Sequence, residues 1–286
     1  MRDDVPGSSL LVVRLSAFGD VIHTIPAVVA LRDHYDIDWL VRPAYRELVE
    51  IVAKVRAIGP GEIRGHDVAV DFQGLIKSAV LARLSGAKNR YGFAYDFVRE
   101  KPAAWFVNHH VTIDPARHVI EWNLQLASAL VRHLDVPRVA FDLFCADQPR
   151  GFEGRVVLLP GAGKAAKQWP IERFRELAQR IGPKALAVWG PGEREMAEAI
   201  GCEVAPPTNF RELARVLRDA SVVVGSDTGP LHLAAALGTR VVGLYGPTNP
   251  RRNGPYGQIA NCLETFTTTR SMRDISVEDV LRKIGC

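Results

Sequence analysis

Asp20 is the first residue whose type and setting could do chemistry. It follows Gly19 in "RLSAFGDVIHTIPA" (14–27), where the apolar run "LLVV" ends and a helical pattern begins. An aspartate at a strand-to-helix turn caps the helix by accepting its free N–H groups. The same position also suits a general base for a bound hydroxyl. A helix N-terminus lowers the carboxyl pKa, whereas burial beside an anion raises it, so residue type leaves both roles open.

Three further loops carry candidate groups. "LLPGAGKAAKQWP" (158–170) fits G-x-G-x-x-A at Gly161, Gly163 and Ala166, a dinucleotide fingerprint. That fingerprint needs a helix opening within the glycines, and Trp169-Pro170 places the helix later. A P-loop is excluded because Ala165 stands where Ser or Thr is required. What remains is a Gly-rich turn bearing Lys164 and Lys167, suited to a phosphate or simply a basic surface loop. In "WGPGERE" (189–195), Glu193 or Glu195 could hold ribose hydroxyls or merely favour a helix dipole. The most specific stretch is "VVVGSDTGPLHLAAALG" (222–238). A buried strand ends at Ser226, Asp227-Thr228-Gly229 turn, and Pro230 opens a helix whose free N–H groups form an anion site. His232 lies one turn inside that helix, where a lone histidine is structural more often than catalytic.

The elements that must position these loops alternate throughout. Strand-like runs at 9–15, 37–42, 66–73, 155–160, 185–190, 221–226 and 240–246 are separated by helical patterns, among them 44–55, 75–86, 118–133, 170–181, 209–220 and 277–284. This order predicts doubly wound parallel α/β sheets, with ligands outside the carboxyl ends of the strands. "CADQPRGFEG" (145–154) reads as a linker, giving domains 1–148 and 149–286, with the last helix free to pack back on the first. The 286 residues are 47% hydrophobic and 24% charged, an ordinary globular balance. "MRDDVPGSSLLVV" reads as an approach to a strand and not as a signal peptide, and no run reaches membrane-span length. Four scattered cysteines (145, 202, 262, 286) suggest neither zinc nor disulfides and fit a cytosolic chain. A net charge of +4 argues against a nucleic-acid binder. Lys77, Arg83, Lys88, Arg90, Arg99 and Lys101 cluster against only Asp96 and Glu100, a run that suits an anionic substrate, lipid headgroups or a plain solvated face.

"VVRLSAFGDVIHTIPAVVALR", "VDFQGLIKSAVLAR", "LLPGAGKAAKQWPIERFRELA" and "VGSDTGPLHLAAALGTRVVGLYGPTNP" together resemble glycosyltransferase family 9, the ADP-heptose:lipopolysaccharide heptosyltransferases. "DFQGLIKSA" with "VRE" at 98–100 is most similar to the heptosyltransferase I branch, which adds the first heptose to the Kdo of lipid A-Kdo. The resemblance implies a GT-B fold of two Rossmann-like domains facing a central cleft, the acceptor on the first and the nucleotide sugar on the second. It implies Asp20 as the general base of an inverting transfer; His23 and Thr24 beside it read as structural support and not as catalysts. Lys167, Thr228 and Gly229 would hold the diphosphate, Asp227 and His232 the sugar–phosphate region, and Glu193 or Glu195 the ribose. Its Ser/Thr-rich phosphate loop is replaced here by "PGAGKAAKQWP". An anionic acceptor makes Lys77, Arg99 and Lys101 the acceptor-side candidates. No metal or cofactor is expected, and "DID" (36–38) runs into a strand. The resemblance further implies a monomer, peripheral to the cytoplasmic face of the inner membrane. The competing readings are a GT-B transferase using another nucleotide sugar, an NAD(P)-dependent oxidoreductase based on 161–166, a nucleotide-sugar epimerase, and a non-catalytic sugar-nucleotide binder.

Overall fold

The computed structural model describes residues 7–285; the acidic start at 1–6 and Cys286 lie outside the described residues. The chain forms two compact units, one running to Ala140 and the other beginning at Phe141.

The first unit is a six-stranded parallel sheet: β1 (Ser9–Val13), β2 (Asp36–Leu40), β3 (Arg56–Ile58), β4 (Val68–Asp71), β5 (Asn89–Phe93) and β6 (His109–Val111), in the order β3-β2-β1-β4-β5-β6. Leu10 to Val13 are fully buried, as expected of a central strand covered on both faces. The covering helices are α1 (Phe18–Leu31), α3 (Ile76–Leu84) and α4 (Val119–Ser128), and α1 packs on α4. The expected helix at 44–55 is present from Pro43 to Ala53, but its winding changes along its length, from a tight first turn through α2 (Arg46–Leu48) to a wide last turn. A wide turn at Val49–Ala53 ends at Lys54, which is left-handed at φ 57° and stops the helix.

The second unit repeats the plan. β7 (Val156–Leu159), β8 (Ala185–Ala187), β9 (Glu203–Val204), β10 (Val222–Ser226), β11 (Val241–Tyr245) and β12 (Leu263–Glu264) lie in the order β12-β11-β10-β7-β8-β9, all parallel. Counted from each unit's own first strand, both sheets have the order 3-2-1-4-5-6. The helices are α5 (Ile171–Ile181), α6 (Arg194–Glu198), α7 (Phe210–Asp219), α8 (Gly229–Ala236), the short α9 (Pro250–Asn253) and α10 (Val277–Ile284). Trp169 is buried just before α5, its indole donating to the Ile275 carbonyl at 3.0 Å. Asn209 and Glu212 cap α7 reciprocally, each side chain accepting the other's backbone N–H.

One boundary expectation changes. Residues 141–148, assigned above to the first domain, belong with the second unit, because Phe141, Phe144 and Cys145 bury against α7. The stretch read as a linker is tied down by Arg218 donating to the Cys145 and Gln148 carbonyls, and by Asp219 accepting from Arg150 and the Gly151 N–H. Val277, Val280, Leu281 and Ile284 of α10 enter the second unit's core beside Phe174 and Leu177 of α5.

Gly225 lies opposite Leu159 across β10 and β7, and a Cβ there would stand 2.8 Å from the Leu159 Cβ. Because that neighbour is anchored to its backbone, Gly225→Ala is expected to destabilise the protein by about 1–3 kcal/mol, read as a lowered urea midpoint.

Candidate active site

In a doubly wound sheet the loops after strands 1 and 4 diverge to opposite faces and leave a crevice at the strands' carboxyl ends. In the first unit these are the loops after β1 and β4, and side chains tie them together. Arg14, which leaves β1, donates through its guanidinium to the Phe72 carbonyl after β4. Gln73 accepts the Leu15 N–H at 2.8 Å, and the Trp39 indole donates to the Arg14 carbonyl at 3.2 Å.

Asp20 sits in the first turn of α1 on this frame. It is not the N-cap, a position held by Ala17; its carboxylate reaches back to accept the Ala17 N–H at 3.2 Å. The other oxygen is 2.7 Å from the buried Arg14 guanidinium, and Arg99 donates to both oxygens at 3.2 and 3.3 Å. Burial pushes the carboxyl pKa up, but Arg14, Arg99 and the Ala17 N–H outweigh it, so the net shift is downward and Asp20 stays ionised. The Thr24 hydroxyl donates to the Asp20 backbone carbonyl one turn back in α1 at 2.8 Å and does not reach the carboxylate. His23 lies edge-on to His118 in the core. Gly74, left-handed at φ 67°, accepts the Glu100 N–H through its carbonyl, and a Cβ on it would stand 3.4 Å from the Arg99 backbone nitrogen.

Beneath the frame lies Asp71, fully buried at the end of β4. One oxygen accepts the Gln73 and Gly74 N–H groups at 2.8 and 3.2 Å, and the other accepts the Ser78 hydroxyl at 3.0 Å. Burial dominates over these bonds and over Arg14, raising its pKa to about 6.

The second unit has an equivalent crossing between the loops after β7 and β10. Lys167 Nζ is 2.6 Å from Asp227, and His232 Nε2 is 3.1 Å from the other Asp227 oxygen. Burial raises the Asp227 carboxyl, yet His232 and Lys167 together bring it below its ordinary value. Thr228 is the N-cap residue of α8; its hydroxyl donates to the Ser226 carbonyl and leaves the helix N–H groups uncapped by it. Glu193 accepts the Gly190 N–H at 2.9 Å, and its carboxyl occupies the space over Gly161, about where a Cβ would project. Glu195 is exposed in the first turn of α6, so of the two glutamates only Glu193 meets the loop after β7. The helix after that loop opens at Ile171, beyond the glycines of 161–166, which removes the geometry a dinucleotide fingerprint requires.

The structure thus groups Lys167, Asp227, Thr228, Gly229, His232 and Glu193 around one sheet's switch point, and Asp20 with Arg99 at the other. The remaining acceptor-side candidates do not join Asp20. Lys101 lies over the Tyr95 ring and 3.8 Å from Asp96, and Lys77 is exposed on α3. Arg14, Gln73 and Asp71 were missed in the sequence. Arg14 reads there as part of strand 9–15, although an arginine at the end of an all-apolar central strand was the available signal.

Paired units of this strand order, with these polar groups at their switch points, are the architecture of GT-B glycosyltransferases, and the chain is one of these enzymes. It belongs to glycosyltransferase family 9 (heptosyltransferase), whose model it matches over residues 62–284. Asp20 precedes that span but falls within longer similarities. Lipopolysaccharide heptosyltransferase 1 of Escherichia coli is 27% identical, covering 96% of this chain and 99% of its own. The enzyme of that name from Pseudomonas aeruginosa is 32% identical, covering 87% of this chain and 81% of its own. The solved structure of E. coli heptosyltransferase WaaC with ADP is similar with a TM-score of 0.83 at 26% identity, covering 97% of this chain and 99% of that one, and its structure with ADP-2-deoxy-2-fluoro heptose gives 0.81.

Asp71 supplies a pH test of the frame. In the unfolded chain an aspartate releases its proton near pH 4, but in the folded protein Asp71 keeps it to about 6. The native state therefore binds more protons in that window, and stability falls as pH rises through it. Asp71→Asn keeps the acceptor oxygen for Gln73 and Gly74. Relative to this variant, the wild type is expected to lose stability between pH 4 and 6.5, read from urea midpoints at both ends.

Proposed function

We propose that this enzyme transfers heptose from ADP-heptose, with inversion, to a hydroxyl of a Kdo-bearing lipid A in the lipopolysaccharide inner core, working as a peripheral protein at the cytoplasmic face of the inner membrane. The observation that carries the reading is the Lys167 ammonium held by Asp227 beside the N-terminus of α8. A cation and a helix N-terminus at one loop cluster suit a diphosphate leaving group, whose growing charge they stabilise. Glu193 is the group suited to ribose hydroxyls. In this reading Lys167 and the α8 N–H groups supply the positive charge facing the diphosphate.

Asp20 takes the proton of the attacking acceptor hydroxyl. Its lowered pKa makes it a weak base in the free enzyme. An acceptor carboxylate competes with Asp20 for Arg99, and drawing Arg99 away removes one of the two cations that hold the Asp20 proton affinity down. Arg99 thereby binds the acceptor and releases the base, while Arg14, locked to Phe72, keeps the carboxylate in place.

Asp20→Asn is expected to lower kcat by about 10²- to 10⁴-fold with ADP affinity unchanged, whereas Lys167→Ala weakens ADP binding by about tenfold or more. Near-full turnover by Asp20→Asn would remove the base assignment. Arg99→Ala should raise the acceptor KM and move the acid limb of kcat/KM to higher pH, because one charge depressing Asp20 is gone. In a thermal-shift panel of ADP, UDP, GDP, NAD and their sugar conjugates, ADP and ADP-heptose should stabilise most, by about 2.7 kcal/mol at 100 times Kd. A preference for UDP would retire the heptose donor, and a preference for NAD the transferase reading.

A further inference from the structure

The helix α3 carries an apolar stripe on its outer side. At 3.6 residues per turn, Ile76, the half-buried Val80 and Leu84 fall in one sector, opposite the buried Ser78, Ala79 and Ala82. Arg83 borders the stripe on one side and Lys77 on the other. The turn Lys101–Phe106 packs along α3 and lifts Trp105 into solvent. Trp105 is 75% exposed, Leu84 57%, Tyr95 50% and Ile76 40%, and these are four of the seven large exposed hydrophobic residues among the described residues. Their concentration on neighbouring segments 76–84 and 95–105 marks one surface in place of scattered exposure.

The charge of that surface selects its partner. Lys77, Arg83 and Lys88 are exposed and form no ion pair among the described residues, while Lys101 lies over the Tyr95 ring, 4.9 Å from its centroid. The neighbouring acids are partly engaged: Glu100 accepts the Ile76 N–H at 2.7 Å, and Asp96 faces Lys101. A short apolar stripe bordered by free cations, with a Trp and a Tyr at its margin, matches the headgroup zone of an anionic bilayer. Leu, Ile and the indole enter the acyl boundary, and the ammonium and guanidinium groups stay with phosphates. No helix among the described residues is long and apolar enough to cross a membrane, so this contact would be superficial. We infer that the α3 and Lys101–Phe106 surface, with Trp105 and Leu84 as its anchors, docks this protein on an anionic membrane. The segment Val98–Lys101 joins this surface to Arg99 at Asp20, so docking would deliver a lipid-borne acceptor beside the base. The inference rests on the peripheral-membrane part of the function proposed above.

The test reads binding without turnover. The purified full-length chain is floated with phosphatidylcholine vesicles containing phosphatidylglycerol, and with pure phosphatidylcholine vesicles. The wild type is expected to float with the anionic vesicles only. The Trp105→Ser/Leu84→Ser double variant should partition about tenfold less, and Arg83→Glu/Lys88→Glu should lose the anionic preference, all with unchanged circular dichroism and Tm. Wild-type protein left in the soluble fraction, or a double variant that floats like the wild type, overturns the proposal. So does concentration-dependent self-association abolished by the double substitution, which would make a second copy the occupant. Turnover with a water-soluble Kdo acceptor, measured in parallel without vesicles, tests the transferase reading separately.

Discussion

Both halves depend on one constraint: two adjacent parallel strands whose onward connections run to opposite faces of the sheet. Where the loops part, backbone carbonyls and N–H groups at the strand ends lose their sheet partners and must be satisfied otherwise. In the first unit Arg14 and Gln73 bridge the parting loops, and in the second Lys167 and Asp227 do so. The groups that hold each crevice together are also polar and charged groups that line it. Fold and site are therefore not separable at these positions. Removing one partner from such a nearly buried charged pair exposes the other to an uncompensated desolvation cost.

The two crevices resolve their electrostatics differently. In the second, one carboxylate, Asp227, is shared by an ammonium and an imidazole, and the lysine keeps a quarter of its side chain exposed. In the first, one carboxylate, Asp20, is shared by two guanidiniums, one locked and one half-exposed. Burial alone would have made Asp20 a stronger base, and its neighbours reverse that in the free protein.

What the sequence disclosed follows from how residues report their surroundings. The central strands β1, β4, β7, β10 and β11 are continuous apolar runs because both faces are covered, and each stood out. The edge strands β3, β6, β9 and β12 are two or three residues long, too short for any alternation to register. Motif spacing marked Asp20, Lys167 and Asp227-Thr228-Gly229 without revealing their partners. Arg14 and Asp20 are joined by a turn that no periodicity describes, and Arg99 reaches Asp20 from 79 residues away. Glu193 and Glu195 differ only in which side of a turn they occupy, and that depends on the glycines beneath. The linker was misjudged because Pro149, Gly151 and Gly154 signal irregular backbone, and irregular backbone can still be pinned by Arg218 and Asp219.

The carboxyl of Glu193 fills the volume over Gly161 that any larger residue would claim. That carboxyl is the far end of a flexible side chain, so a methyl group at 161 could displace it with little strain on the fold. The two positions are therefore mutationally coupled. A drift from glycine to alanine at 161 would pass a screen for expression or melting temperature yet move the acid away from the loop it guards. Only a compensating change at 193 could recover a useful arrangement, so these positions are expected to change together in descendants of this chain.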